Sequence, residues 1–225
     1  PGQVHMMTEE DLVVLDSTIK SIDGTGAADH IASQGGDDLI YGFAGNDTIE
    51  SWGGNDTVLG GSYNDSLDSR GGNDFVYGGG GNDVLKLGPG QDHAYLGPGN
   101  DTVYGEDGND FVSLGTGSDT AYLGGGNDVL RVNLDDVAGS RNVAHGEGGF
   151  DTLQIVLDAG QSRNSIVLRE LHALQDFLET AGPNDTYSPR AINATISGFE
   201  AMDIVGPVVG VEDHGTTDED TPLVL

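Results

Sequence analysis

The chain has 225 residues, with 38 Asp and Glu against 8 Lys and Arg, which gives a formal net charge of −30 at neutral pH. This balance repels nucleic acid and anionic membranes, so the composition argues against both as partners and favours cations. Cysteine is absent, which excludes disulfides and thiolate metal sites. No run of about eighteen apolar residues occurs, so we expect no membrane insertion.

Residues 1–23 are predicted to form an N-terminal cap or lead-in. Val13 and Ile22 fall in phase with the aliphatic positions of the repeats that follow. The turn glycines of those repeats are missing here, and Lys20 stands where an aspartate is expected. Repeat arrays need such caps over the open ends of their cores. Because the chain begins at Pro1 rather than at Met, we interpret it as a segment of a larger secreted protein.

Residues 24–131 repeat one phrase of nine residues twelve times. We number the phrase so that its invariant aspartate is position six; position eight is then aliphatic in every phrase. The aspartates are Asp29, Asp38, Asp47, Asp56, Asp65, Asp74, Asp83, Asp92, Asp101, Asp110, Asp119 and Asp128. Position four is glycine in all phrases except two, which carry Ala27 and Tyr63. These glycines are Gly36, Gly45, Gly54, Gly72, Gly81, Gly90, Gly99, Gly108, Gly117 and Gly126.

This pattern predicts an all-β fold, a parallel β-roll in the form of a right-handed solenoid. Each phrase combines six turn-forming residues with three strand residues, and two phrases make one coil of eighteen residues. Residues eighteen apart would then stack at the spacing of neighbouring strands, about 4.8 Å. Position eight would point inward and its two neighbours outward.

The two outer faces of the predicted roll differ in character. One is apolar enough to be a candidate packing or ligand surface, although aromatic residues also simply stabilise exposed strands. It carries Leu39, Tyr41, Leu59, Phe75, Tyr77, His93, Tyr95, Phe111 and Val129. The other face is mostly polar and includes Thr48, Ser66, Thr102 and Thr120.

After residue 131 the pattern changes. Residues 132–145 lose the phase and are predicted to be a loop insertion, after which one phrase returns around Asp151, at 146–154. Residues 155–206 are predicted to be a small mixed α/β C-terminal cap, with strands near 155–157, 165–168, 191–196 and 199–205 and a helix from Leu168 to Leu178. Residues 207–225 are interpreted as an acidic linker or the start of a following domain.

Evenly spaced carboxylates at glycine turns favour Ca²⁺, which takes six to eight oxygen ligands from carboxylates and backbone carbonyls. Glycine adopts the dihedral angles of a tight turn and lets its carbonyl approach an ion. Asn at position five, as in Asn82, is interpreted as a residue that tolerates the left-handed region. Mg²⁺ demands a stricter octahedron and keeps its waters, so it suits these turns less.

The phrases resemble the glycine-rich nonapeptides of the RTX, or haemolysin-type calcium-binding, proteins over residues 24–131 and 146–154. The resemblance implies that each Ca²⁺ lies between coils, held by position-six aspartates eighteen residues apart. Carbonyls at positions two and four of one turn, and at one and three of the next coil, would complete the shell. One row would contain Asp29, Asp47, Asp65, Asp83, Asp101 and Asp119, and the other Asp38, Asp56, Asp74, Asp92, Asp110 and Asp128. About ten ions follow from these two rows.

The resemblance also implies type I secretion, so we expect an extracellular or cell-surface bacterial module that folds on Ca²⁺ binding and has no catalytic activity. A structural or adhesive role in a large protein is the first hypothesis. The second is the C-terminal part of a secreted protease or lipase, although neither His-Glu-x-x-His nor Gly-x-Ser-x-Gly occurs in the chain. A third is glycan or ice binding by one face of the solenoid.

Overall fold

The computed structural model describes residues 2–5, 12–14, 19–136, 139–158, 160–182, 185–188 and 194–206. Two large sheets face each other across a single hydrophobic core, and successive strands alternate between them along most of the chain. All strand pairs within these two sheets are parallel except the last pair of the second sheet. The fold is therefore the parallel β-roll predicted from the repeats.

The first sheet, which carries the more apolar outer face, contains ten strands within the described residues. In spatial order they are β1 (Gly2–His5), β3 (Ile19–Asp23), β5 (Leu39–Ala44), β7 (Thr57–Ser62), β9 (Phe75–Gly80), β11 (His93–Tyr95), β13 (Phe111–Ser113), β16 (Val129–Asn133), β19 (Thr152–Val156) and β22 (Ala201–Val205).

The second sheet also has ten strands in the described part of the chain. In spatial order they are β2 (Leu12–Val14), β4 (His30–Ala32), β6 (Thr48–Glu50), β8 (Ser66–Asp68), β10 (Val84–Lys86), β12 (Thr102–Tyr104), β14 (Thr120–Tyr122), β17 (Asn142–His145), β21 (Ala194–Ser197) and β20 (Thr186–Tyr187). Two short turn strands, β15 (Gly125–Gly126) and β18 (Gly148–Gly149), pair separately.

The strand register confirms a coil of eighteen residues. Val58 pairs with Val76 in the first sheet, and Leu67 pairs with Leu85 in the second. The position-eight side chains are all buried between the sheets, together with the inward leucines at position one of some phrases, such as Leu96. One period thus determines both the hydrogen-bonded register and the core, because alternate side chains of a strand, here positions eight and one, point inward.

The lead-in belongs to the same two sheets. Val13 pairs with Ile31, and Ile22 pairs with Ile40, so both follow the eighteen-residue spacing as expected. β1 precedes them and pairs with β3. The backbone of the roll therefore begins before the first glycine turn, and the residues predicted as a lead-in contribute strands to it.

The insertion after β16 is shorter than the sequence suggested. β16 continues to Asn133 and β17 starts at Asn142, so both strands enter the segment expected to be a loop. β14 then pairs with β17 between residues 23 apart, as in Ala121 with Ala144, instead of 18 apart. The additional residues lie between β16 and β17 in the sequence, and the two sheets continue past residue 154 through β19, β21 and β22.

One expected strand is a helix. Residues 165–168 were predicted to be a strand, but they form the first turn of α1 (Ser165–Leu178), which follows a 3₁₀ turn at Gln161–Arg163. The side chain of Asn164 accepts hydrogen bonds from the backbone N–H groups of Ile166 and Val167, which caps the helix and starts it early. Leu171, Leu174 and Leu178 join the core of the roll.

No helix among the described residues is long and apolar enough to cross a membrane. The predicted acidic linker at 207–225 lies outside the described residues.

Aromatic side chains form ladders on the outer surfaces of both sheets. On the first sheet Tyr77 stacks on Tyr95 at 5.0 Å between ring centroids, and Phe75 stacks on His93 at 4.8 Å. On the second sheet Tyr104 and Tyr122 stack at 5.3 Å and the ladder ends on His145. The ring spacing follows the strand spacing, so these rings contribute cross-strand packing whether or not they meet a ligand.

Two adjacent glycines in one turn test how the turns depend on backbone conformation. Gly72 has φ +143°, and a Cβ there would overlap the carbonyl oxygen of Gly54 one coil earlier. A Cβ on Gly71 would lie 3.9 Å from its nearest neighbour, the side chain of Pro89. We expect Gly72→Ala to destabilise the folded protein by more than about 1 kcal/mol, and Gly71→Ala to leave it nearly unchanged. Thermal melts of the two variants under identical conditions measure the difference; equal melting temperatures would contradict the assigned turn geometry.

Candidate metal centres

The predicted position-six aspartates all lie at turns between the sheets, each directly before a strand. None of the twelve is more than 4% exposed. They form the two rows expected from the sequence, with neighbours eighteen residues apart. In each row the backbone N–H of one aspartate donates to Oδ1 of the next, as from Asp65 to Asp83 at 2.8 Å and from Asp92 to Asp110 at 2.9 Å.

The second carboxylate oxygen, Oδ2, is what makes these turns unusual. Buried polar atoms in folded proteins nearly always have a hydrogen-bond partner. Within the described residues, Oδ2 is buried and has no hydrogen-bond partner in Asp47, Asp56, Asp65, Asp74, Asp83, Asp92, Asp101, Asp110, Asp119, Asp128 and Asp151. A repeated deficit of this kind indicates that these oxygens serve a ligand from outside the chain.

The first predicted aspartate, Asp29, is different. Its Oδ2 accepts a hydrogen bond from the backbone N–H of Thr25 at 2.6 Å, and the Thr25 hydroxyl lies 3.0 Å from Oδ1. Asp29 is thus held by its own turn, while its N–H still donates to Asp47 Oδ1 at 2.8 Å. The structure places Asp29 in its row but satisfies its carboxylate locally.

Backbone carbonyls surround the aspartates in the spaces between coils. A Cβ on Gly60, at position one, would lie 2.6 Å from the carbonyl oxygen of Gly78 in the next coil and 2.7 Å from Asp65 Oδ2. Carbonyls at positions two and four approach the following coil, so that a Cβ on Gly79 would overlap the carbonyl oxygen of Gly61. The glycines therefore keep open a space bordered by carbonyl and carboxylate oxygens.

The predicted position-four glycines have the conformation that this arrangement requires. Nine of the ten have φ between +104° and +159°, and the tenth, Gly90, has a Cβ position that the Gly72 carbonyl oxygen would block. Tyr63 takes the same place with φ +81°, and Asp47 N–H still donates to Asp65 Oδ1 at 2.8 Å. The tyrosine therefore leaves this turn in register.

Asparagine at position five has a different role from the one predicted. No position-five residue among those described has a positive φ, so tolerance of the left-handed region does not explain it. Its side-chain oxygen instead accepts from the backbone N–H one coil later, as from Asn82 to Asn64 at 2.7 Å and from Asn73 to Asn55 at 2.8 Å. Asparagine at position five therefore acts as a hydrogen-bond acceptor that links one coil to the next.

The left-handed residues that the sequence did not reveal are at position two. Trp52, Arg70 and Phe43 have φ of 72°, 66° and 74°, where glycine stands in other phrases. Arg70 stacks over the Trp52 ring at 4.1 Å and pairs with Glu50 at 3.1 Å. Each of these residues has a large side chain where glycine would be expected, so the sequence gives no sign of its left-handed backbone.

Burial sets the electrostatics of the rows. It desolvates the carboxylates and raises the pKa of Asp47 from 3.8 to about 6. The pKa of Asp65 rises to about 7 and that of Asp110 to about 8, because burial is reinforced by the negative charges of the aspartates in both adjacent coils. Each row is therefore poised to take up positive charge, as protons or as a cation.

These donors fit Ca²⁺. All are oxygens, carboxylate and carbonyl, which is the ligand set of a hard cation. No three His, Cys, Asp or Glu side chains come together in the described part of the chain, so each space between coils offers two carboxylates and draws its other donors from the backbone. The residues that could hold the ions are the paired aspartates and the turn carbonyls, including those of the position-four glycines.

Two row members escaped the predicted set. Asp119 N–H donates to Asn142 Oδ1 at 2.8 Å, and Asp128 N–H donates to Asp151 Oδ1 at 2.9 Å, each 23 residues on. Asn142 therefore continues the first row without charge, while Asp151 continues the second with charge. The inserted residues hide both from a strict eighteen-residue count, although the recovered phrase at 146–154 already pointed to Asp151.

A comparison with protein families matches the profile of the RTX calcium-binding nonapeptide repeat in four copies, at residues 23–58, 53–85, 87–121 and 95–130. Residues 23–130 belong to the RTX calcium-binding repeat family. RTX repeats bind Ca²⁺, so the roll is a calcium-binding module, as the resemblance implied. The phrase at 146–154 lies beyond the matched residues. No curated protein matches the chain significantly.

The raised pKa values predict how pH acts on the protein without calcium. A carboxyl whose pKa is higher in the folded state stabilises the fold fully below its unfolded pKa of 3.8, and this stabilisation is lost as pH rises through about 6 to 8. In excess chelator we therefore expect more β-structure at pH 5 than at pH 8, measured by far-UV circular dichroism. A β-content that is constant or rises between pH 5 and pH 8 would contradict buried, unneutralised aspartate rows.

Proposed function

We propose that this chain is a non-catalytic module of an extracellular bacterial protein, which folds when its aspartate rows bind calcium and then serves as a structural or adhesive element. The observation that carries the proposal is the repeated, buried Oδ2 without a hydrogen-bond partner. A folded protein does not retain so many unsatisfied charged atoms unless a ligand neutralises them.

Charge repulsion couples folding to the ion. Two carboxylates about 5 Å apart repel each other by about 3 kcal/mol at an effective dielectric constant of about 20. Each described row repeats such a contact at every coil, and the whole chain carries a formal charge of −30. An ion that binds only the folded state adds about 2.7 kcal/mol of stability per site at a hundredfold excess over its Kd. Bound calcium thereby changes the net repulsion within each row into a net stabilisation of the fold.

We assign the ions to spaces between position-six aspartates of the same row, with carbonyls of positions one, two and four nearby. Asp65 and Asp83 form one such pair, and Asp92 and Asp110 another. Bound calcium would supply the positive charge that the buried oxygens lack. The chain itself orients the carboxylates from Asp47 onward, by fixing each Oδ1 on a backbone N–H and leaving Oδ2 to face the glycine carbonyls.

Calcium-dependent folding suits export. RTX repeat proteins are typically secreted by bacteria. In calcium-poor cytosol a weakly hydrophobic chain with this charge stays unfolded and can pass a type I secretion channel. Outside the cell, millimolar calcium folds it. Because folding depends on calcium, the roll is unstable in the cytosol and rigid outside the cell.

The shape of the module supports a structural or adhesive role. Stacked coils make a rod whose length grows by one strand spacing per eighteen residues, with aromatic ladders along its surface. Catalytic motifs of secreted proteases and lipases do not occur in the sequence. A hydrolase with its catalytic domain elsewhere would use the same roll for folding after export.

The first test is a calcium titration followed by far-UV circular dichroism. We expect a largely unfolded chain in excess chelator at pH 8 and a cooperative gain of β-structure on adding Ca²⁺. Mg²⁺ at the same concentration should have a much smaller effect, because it demands stricter octahedral geometry. A chain that is equally β-rich with chelator and with calcium would refute the proposal.

A matched pair of variants tests the ligands. Asp83→Asn removes one buried charge and keeps the oxygen that accepts from Asp65, and Asn142 shows that an amide fits this position. Asp176→Asn makes the same change at an exposed position on α1. We expect the first variant to lose about two bound ions and to melt at a lower temperature, because Asp83 borders two coils. The second variant should match the parent. Equal ion counts in both would remove Asp83 from the ligand set.

A further inference from the structure

The C-terminal end of the second row contains an acid that the nonapeptide pattern does not include. β22 follows β19 in the first sheet, with Ala201 paired to Thr152. The chain reaches β22 through a turn at Gly198, Phe199 and Glu200, after the excursion that contains α1. This turn lies outside the residues matched to the RTX repeat.

Glu200 occupies the position of a sixth-place aspartate. Its Oε2 accepts from the backbone N–H of Asp151 at 2.8 Å, just as Asp110 Oδ1 accepts from Asp92 at 2.9 Å. The residue after it, Ala201, donates its N–H to the carbonyl of Asp151 at 3.1 Å. In the repeats the carbonyl of every row aspartate accepts the equivalent bond from the strand one coil later. Glu200 thus continues the row by one coil beyond Asp151.

Gly198 occupies position one of the same coil. Gly146 N–H donates to the Ser197 carbonyl at 2.9 Å, as position-one glycines do in the repeats. A Cβ on Gly146 would overlap the Gly198 carbonyl oxygen and would lie 2.5 Å from Asp151 Oδ2. The same two neighbours, a carbonyl oxygen from the next coil and the phrase's own Oδ2, surround Gly60 within the array.

The chemistry of the turn explains why glutamate stands there. Phe199 is the single residue between Gly198 and Glu200, whereas four residues separate positions one and six in a complete phrase. The turn is therefore three residues shorter. Glutamate has one more methylene than aspartate, and this additional reach lets its carboxylate arrive at the Asp151 N–H from the shortened turn.

A second, independent observation points to a ligand. Asp151 is completely buried, and its Oδ2 has no hydrogen-bond partner. The Glu200 carboxylate accepts from the Asp151 N–H, as the next aspartate does in the other coils of the row. Two acidic groups and the Gly198 carbonyl therefore border one space. Nothing basic from the described residues pairs with either acid, since the ion pairs found there join Arg70 to Glu50 and Asp68.

We propose that Asp151 and Glu200, with the carbonyl of Gly198, form an additional Ca²⁺ site that closes the second row and fastens the turn after the helical excursion to the roll. The proposal rests on the calcium-dependent function proposed above. Within the described residues the first row reaches Asn142, which carries no charge, so no second carboxylate meets Asp119 there.

The test compares Glu200→Gln with Glu179→Gln. Glutamine keeps the oxygen that accepts from Asp151 N–H, and the neutral Asn142 shows that the roll accommodates an amide in such a place. Glu179, at the end of α1, is exposed and provides the same loss of charge at the same end of the chain. Bound Ca²⁺ per chain is counted at saturation by native mass spectrometry, with circular dichroism as the check on folding.

We expect Glu200→Gln to bind one Ca²⁺ fewer than the parent while retaining its β-structure, and Glu179→Gln to bind the same number. A second measurement needs no substitution: with ¹³C at the glutamate δ-carboxyls of the parent protein, one signal should show calcium coordination, because the other assigned side-chain ligands are aspartates.

Two results would overturn the inference: an unchanged ion count in a folded Glu200→Gln protein, or no coordinated glutamate signal in the parent. Neither touches the proposed function, which fails on a different result, namely a parent protein that neither binds calcium nor folds with it.

Discussion

Buried negative charge is the constraint on which the rest of this structure depends. A β-solenoid with strands of six residues or fewer has a thin core, and this one adds rows of aspartates that are almost completely inaccessible to water. Burial raises the pKa of Asp65 and of Asp101 to about 7, and the negative charges of the aspartates in both adjacent coils add to this shift. The glycine turns, the carbonyls that face between coils and the weak hydrophobicity of the chain all fit one solution, which is a cation supplied from outside.

The two rows end differently, and both ends respect that constraint. In the first row the next acceptor is Asn142, which makes the backbone hydrogen bond of an aspartate without adding charge. In the second row Asp151 keeps the charge and meets Glu200. A row can therefore stop at a neutral amide or continue to another acid, but the N–H of its last aspartate is not left without an acceptor.

Much of this architecture could be predicted because the environment of each position repeats every eighteen residues. Asp83 and Leu85 needed no structure to be placed, since eleven other phrases carry the same information. Prediction failed where the repetition breaks. Five additional residues hide Asn142, and a turn three residues shorter than a full phrase hides Glu200. The early start of α1 depends on Asn164, a local cap that periodicity does not detect. Trp52 and Arg70 adopt the left-handed region although their side chains carry no sign of it.

The ladder of position-six aspartates gives the roll a direction, as backbone hydrogen bonds do in an α-helix. Position-six carboxylates accept from the preceding coil, whereas position-five amides accept from the following coil. The two ends therefore expose different groups and need different caps. At the N-terminal end the carboxylate of Asp29 needs a donor, and Thr25 provides it. At the C-terminal end backbone N–H groups need acceptors, and Asn142 and Glu200 provide them. A hydroxyl donor at the start and side-chain acceptors at the end are the reverse of helix capping, where the acceptor side chain comes first.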